Sequence, residues 1–180
     1  MKNFLFLLFI SAIQFPLFSQ TYNDGKILRP GKFTAGINPV LEKKLPGVYF
    51  RGGYGIVRRM DMNVKYGVFE GADYVGADLE WYLKSNRNMD VSVYAGAHGL
   101  KNYGLDGGLA AGFTINTRLT LFTGLDADFN FNINNDRFFW LPLGMKIYLS
   151  PRMRFILEGD LPLVEFAPGI FGGGFSFALN

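Results

Sequence analysis

Apolar and polar residues alternate with a period of two along almost the whole chain beyond residue 31. Met60-Asp61-Met62-Asn63-Val64-Lys65-Tyr66 and Met89-Asp90-Val91-Ser92-Val93-Tyr94-Ala95 are typical stretches. That period places one class of side chain on each face of a strand. Turn signals divide the pattern into segments of about ten residues. They predict strands at 32–40, 48–56, 60–69, 73–83, 89–98, 103–115, 118–131, 138–149, 153–163 and 169–179. The economical all-β solution is a single closed antiparallel barrel of about ten strands, with eight as the alternative count; an even count puts both chain ends on one side.

One face reads Val48, Phe50, Tyr54; Met60, Met62, Val64, Tyr66, Val68; and Val75, Ala77, Leu79, Trp81, Leu83. It continues through Leu119, Leu121, Leu125, Phe129; Phe139, Leu141, Leu143, Met145, Ile147; and Phe171, Phe175, Phe177, Leu179, with no charge among them. The other face carries Arg51, Asp61, Lys65, Asp78, Glu80, Asp90, His98, Asp106, Asp126, Asp128, Lys146, Arg154, Glu158 and Asp160. A soluble lipocalin-like barrel would turn the apolar face inward, and a transmembrane barrel would turn it out to lipid. Glycine decides between them. Gly36, Gly53, Gly55, Gly76, Gly96, Gly112, Gly124, Gly144 and Gly172 share the polar face. On a solvent face they would only weaken the strands, whereas in a narrow lumen they make room for long neighbours. The transmembrane arrangement is therefore expected, with the lipocalin-like one as the alternative.

Outward Tyr103, Phe131, Phe139 and Phe171 fall near one set of strand ends, and Trp81 and Phe113 near the other, as interfacial belts require. Pro39, Pro142 and Pro162 would each remove a ladder hydrogen bond, and all three map toward the outer rim. Lys2 followed by an apolar run from Phe4 to Ile13 and then Ser19-Gln20 reads as a signal peptide over residues 1–20. Residues 21–31 lack alternation and contain Asn23-Asp24-Gly25 and Pro30-Gly31. They are expected to form a short periplasmic arm ahead of a barrel at 32–180, with no segment left over to plug the lumen. The absence of cysteine excludes disulfides, thiolate metal sites and acylation of a mature N-terminal cysteine. A net charge of +3 without a basic run gives no reason to expect nucleic-acid binding.

The chain resembles the small outer-membrane β-barrels of Gram-negative bacteria, the OmpX-, OmpW- and opacity-type group, over roughly residues 32–180 and in architecture alone. Its most specific piece is Gly172-Gly173-Gly174-Phe175-Ser176-Phe177, in which Gly172, Phe175 and Phe177 fit the final-strand pattern. The resemblance implies that the barrel assembly machinery reads this signal and that outer-membrane lipid surrounds the product. Ala178-Leu179-Asn180 departs from members that finish on an aromatic residue. The sequence sets no oligomeric state.

Candidate chemistry is sparse. His98, the sole histidine, is expected beside Asp106, with no nucleophile and no second acid aimed at the same point. Asp126-Ala127-Asp128 offers two oxygen donors where a hard cation needs several, so ion pairing is the simpler role and no metal or cofactor is expected. The inner acids Asp61, Asp78, Glu80, Asp106, Asp126, Asp128, Glu158 and Asp160 are expected to form a lumen network with Arg51, Lys65, Lys146 and Arg154. Because the acids are in excess, tyrosine hydroxyls, water or a retained proton must meet the remainder. Tyr49, Tyr74, Tyr82, Phe122, Trp140 and Tyr148 should obstruct the interior. The expectation is a non-enzymatic barrel with a filled lumen, the alternative being a narrow channel for small or cationic solutes.

Overall fold

The structure, a computed structural model, describes residues 23–42, 45–70, 72–100, 103–131, 136–165 and 167–179. The expected signal peptide lies outside them, as do Thr21 and Tyr22 of the expected arm. Ten strands follow one another: β1 (Phe33–Glu42), β2 (Leu45–Val57), β3 (Met60–Phe69), β4 (Ala72–Ser85), β5 (Met89–Leu100), β6 (Gly104–Asn116), β7 (Leu119–Asn130), β8 (Arg137–Tyr148), β9 (Met153–Pro162) and β10 (Ile170–Ala178). Each pairs antiparallel with its sequence neighbour, and β1 pairs with β10 to close the barrel. The register follows the alternation. On β3, Asp61, Lys65, Gly67 and Phe69 are buried inside while Met62, Val64, Tyr66 and Val68 are exposed outside. The cross-strand partners Arg51↔Lys65 and Asp106↔Asp128 both face the lumen, as their parity requires.

The expected strand limits shift most at the first hairpin. The expected loop 41–47 contracts, because β1 runs on to Glu42 and β2 begins at Leu45. Pro39 does not end the strand; it interrupts one ladder. The β1–β10 register lapses after Ile37↔Phe175 and resumes at Val40↔Gly172. Pro142 has the same effect between β7 and β8, whose pairing skips from Thr123↔Leu143 to Asp126↔Trp140. Proline lacks the N–H that the ladder needs, and the barrel tolerates the loss by pairing on either side. Pro162 closes β9, as expected for a rim residue.

The two ends differ. Register shifts at Gly55/Val57, Tyr82/Lys84 and Thr114/Asn116 sit at the end that carries the short turns, where bulges finish strands. That rim is basic: Arg58, Arg59, Lys84, Arg87, Arg118 and Arg152 are all exposed there, joined by Lys26, Arg29 and Lys32. At the opposite rim the exposed charges include Glu70, Asp73, Arg137 and Glu165. A basic patch that is invisible as a run in the sequence is thus assembled by the turns.

Inward glycines do make room, and several face rings. A Cβ at Gly76 would meet the Tyr74 ring, and one at Gly144 would overlap the Phe122 ring. Gly174 serves the seam instead, since a Cβ there would overlap the Ile37 carbonyl of β1. Gly174→Ala should therefore cost about 1–3 kcal/mol through overpacking. Gly159→Ala, whose Cβ would find its nearest neighbour at 3.6 Å, should stay within about 0.5 kcal/mol. Urea unfolding of both variants in lipid vesicles measures the difference.

Candidate functional site in the lumen

Residues 21–31 were expected outside the barrel with the lumen unplugged; the described part of this arm, from Asn23, instead enters the lumen. Arg29-Pro30-Gly31-Lys32 makes the reversal. Lys32 N–H donates to the Arg29 carbonyl at 3.0 Å, and Gly31 has a φ of 75°. A proline followed by a left-handed glycine is the sequence of a type II turn. Gly31 and Gly55 then extend the β1–β2 edge, with Gly31 N–H donating to the Gly55 carbonyl at 2.8 Å. Further in, Leu28 N–H donates to Asp61 at 2.6 Å. Lys146 forms a buried ion pair with Asp24, and Asn23 reaches Asp78.

The wall is shaped for this backbone. A Cβ at Gly55 would overlap the Arg29 carbonyl, and one at Gly112 would overlap the Asp24 carbonyl. Gly25, with a φ of 77°, passes so close to the wall that a Cβ on it would lie 2.6 Å from the Asp90 carbonyl and 2.9 Å from Gly112 N. The physical reason for the misplacement is plain. Lack of alternation shows that a segment is not a strand, but it does not say on which side of the rim the segment lies. The signals that could have placed it were the inward glycines clustered near one end and, in Asn23-Asp24-Gly25, a glycine that can pass close to a wall.

All the expected network residues face the interior. Asp61, Lys65, Asp78, Glu80, Asp106, Asp126, Asp128, Lys146, Glu158 and Asp160 are buried, and Arg51 and Arg154 are half-buried. Lys65 pairs with Asp78 at 3.1 Å. Many of the other acids accept from neutral donors. Tyr94 donates to Asp126 at 2.7 Å, Asn130 to Asp128 at 2.8 Å, and Asn63 to Asp78 at 3.2 Å; Ser92 donates to Glu80, and Tyr82 to Asp90. The carboxylates of Glu158 and Asp160 are buried without a hydrogen-bond donor among the described residues.

His98 is enclosed by two acids, where one was expected. Its Nδ1 lies 3.6 Å from Asp106 and its Nε2 3.6 Å from Asp128, while Nε2 donates to Asn130 Oδ1 at 3.1 Å. Asp128 was missed as a partner because it stands two strands away. The Asp106↔Asp128 register carries it across to the imidazole. Tyr74 stacks on the ring at a centroid distance of 5.5 Å. The group is buried. Asp73 is exposed on the outer face.

Apolar groups close the remaining space. Val40, Tyr49, Phe69, Tyr74, Phe122 and Ile156 form one internal cluster. Phe138, Trp140 and Ala167 form a second under the β9–β10 loop, and Trp140 Nε1 donates to the Pro168 carbonyl at 2.8 Å. Tyr82 and Tyr148 are only half-buried, while Tyr94, not foreseen as an obstruction, is buried.

No family model matches the chain, and no curated protein matches it. Among solved structures, the NanC porin superposes with a TM-score of 0.57 at 9% identity, covering 79% of this chain and 98% of that one. The KdgM porin gives 0.54 at 5% identity, covering 82% and 99%. The fold is therefore that of the porin-like β-barrels, and at these identities the likeness extends to the fold alone.

The arm's anchoring can be tested at its two kinds of contact. Lys146→Met removes the cation that holds Asp24, and Gly112→Val fills the space that the Asp24 backbone occupies. Each should speed amide exchange at Leu28 and Gly31 by about tenfold or more, through local opening. Arg118→Gln, on a distant turn, should leave both amides unchanged. Hydrogen–deuterium exchange of the refolded protein reads all three.

Proposed function

We propose that this chain is a small non-enzymatic outer-membrane β-barrel of a Gram-negative bacterium, with a structural or interaction role and a lumen held closed. One observation carries the reading. The outer wall is apolar between its rims, while buried ions, rings and the arm occupy the interior. Lipid is the solvent that accepts such a wall, and closure is the form of sheet that leaves no unpaired edge in it. The porin-like fold supports the assignment. In this reading residues 1–20 direct export, Gly172, Phe175 and Phe177 present the final strand to the assembly machinery, and outer-membrane lipid surrounds the wall. The charged network of Arg51, Asp61, Lys65, Asp78, Glu80, Asp106, Asp126, Asp128, Lys146, Arg154, Glu158 and Asp160 rigidifies the interior. His98 belongs to that network, because its partners among the described residues are carboxylates and an amide, with no hydroxyl nucleophile hydrogen-bonded to it.

A second reading has a specific observation in its favour. The lumen acids outnumber the lumen bases, so a barrel from which the arm withdraws would attract cations. Planar-bilayer recording separates the two. The intact protein should show no stable conductance, and a variant lacking residues 21–31 should show small cation-selective steps. Steady conductance by the intact protein would replace closure with a constitutive channel. The membrane assignment has its own check: Leu121→Arg and Leu143→Arg, on the exposed wall, should each cost about 2–4 kcal/mol of folding into vesicles if they lie near the midplane. Folding that is indifferent to both would remove it.

A further inference from the structure

The arm seals the lumen but leaves space at the short-turn mouth. Between the arm, the start of β1, the β8–β9 turn and the end of β10 lies a cavity of about 380 Å³. Its charged lining consists of Lys26, Arg29 and Lys32 from the arm and Arg154 from β9, with no acid among the lining residues. None of these cations is paired with a carboxylate among the described residues. This is the reverse of the lumen above it, where acids prevail. Like charges gathered around one concavity repel one another unless an anion joins them.

Arg154 gives the site its fixed point. Its guanidinium carbon stands 5.6 Å over the Tyr148 ring, and its Nε is buried without a hydrogen-bond partner. A buried donor without an acceptor is costly, and a charge-assisted bond to an oxyanion is the strong way to satisfy it. The neighbouring smaller cavity, which Lys26 and Arg154 also line, holds Asp24 and Asp61, and these are already engaged by Lys146 and by the Leu28 amide. Arginine offers a planar fork to two oxygens of a tetrahedral anion, while lysines supply charge at its edge. The rest of the lining, Tyr148 and Pro151 included, is largely apolar, and the cavity lies where the wall ends and water begins.

We propose that this cavity binds a phosphate group bearing an apolar substituent. Phospholipid headgroups and soluble phosphate esters both have that chemistry. Because Arg154 belongs to the wall and the lysines to the arm, one bound phosphate bridges the two and fastens the arm at its root.

The test uses the exported protein in maltoside detergent micelles, which contain no phosphate, titrated separately with phenyl phosphate and with short-chain phosphatidylglycerol, and read by phosphorus NMR and calorimetry. Saturable binding is expected, weakened tenfold or more by Arg154→Gln and by the pair Lys26→Gln/Arg29→Gln. Arg118→Gln, an exposed cation on another turn, should leave it unchanged. Binding of the lipid alone assigns a headgroup site, binding of phenyl phosphate alone assigns a soluble ester, and binding of both assigns the shared phosphate group. If the Arg154 variant does not fold, the arm pair carries the test. Absence of saturable binding, or equal binding by wild type and the arm pair, overturns the proposal.

Discussion

The constraint on which the rest depends is that every strand must have a hydrogen-bonded neighbour on both sides. An unpaired strand edge beside an apolar, unshielded wall leaves a row of polar backbone groups with nothing to bond to. The chain meets this by bringing β10 back to β1 across nearly its whole length. Closure then dictates parity. Once the seam is registered, a shift of one residue would turn Asp61, Lys65 and Asp78 outward and Met62 and Leu79 inward. The seam tolerates Pro39 because pairing resumes at Val40, and it depends on Gly174 because the backbones approach too closely there for a side chain.

A closed sheet of this size encloses an interior that is polar by parity and too narrow for bulk water to solvate every charge. Among the described residues the protein meets that difficulty with neutral donors as well as with opposite charges. Tyr94, Ser92, Asn63 and Asn130 each give a hydrogen bond to an acid, and the Leu28 amide of the arm gives one to Asp61. Fully paired buried ions are costly to assemble, so hydroxyls and amides of the wall are an economical substitute. The arm contributes in both ways, since its Asp24 also neutralises Lys146.

Much of this was legible in the sequence because parity is a local property. The wall, the lumen face and the inward placement of the charged network follow from whether a residue is odd or even within its segment, and the strand count from the turn signals between segments. What parity cannot convey is partnership across the barrel. Asp128 meets His98 only because two hairpins set their strands in a particular register, and the pairing of Lys146 with Asp24 joins positions 122 residues apart. Nor does parity apply to a segment with no alternation, which is why the arm could be recognised as irregular without being placed. The contraction of the first outer loop has another origin. Pro39 signals an end to pairing, but a strand held on both sides survives the loss of one bond.

The uneven distribution of charge between the two rims bears on how such a barrel comes to face one way. Arg58, Arg59, Arg87, Arg118 and Arg152, with their neighbours on the arm, would all have to be dragged through hydrocarbon if the short-turn end led the way across a bilayer. Guanidinium groups keep their protons under any ordinary condition, so they cannot shed that charge in transit. The other rim carries exposed Glu70, Asp73 and Glu165 beside Arg137 among the described residues, a smaller guanidinium load. In a bilayer the rim with fewer guanidinium groups would be the less costly one to lead, so the turns themselves carry a preference for one topology.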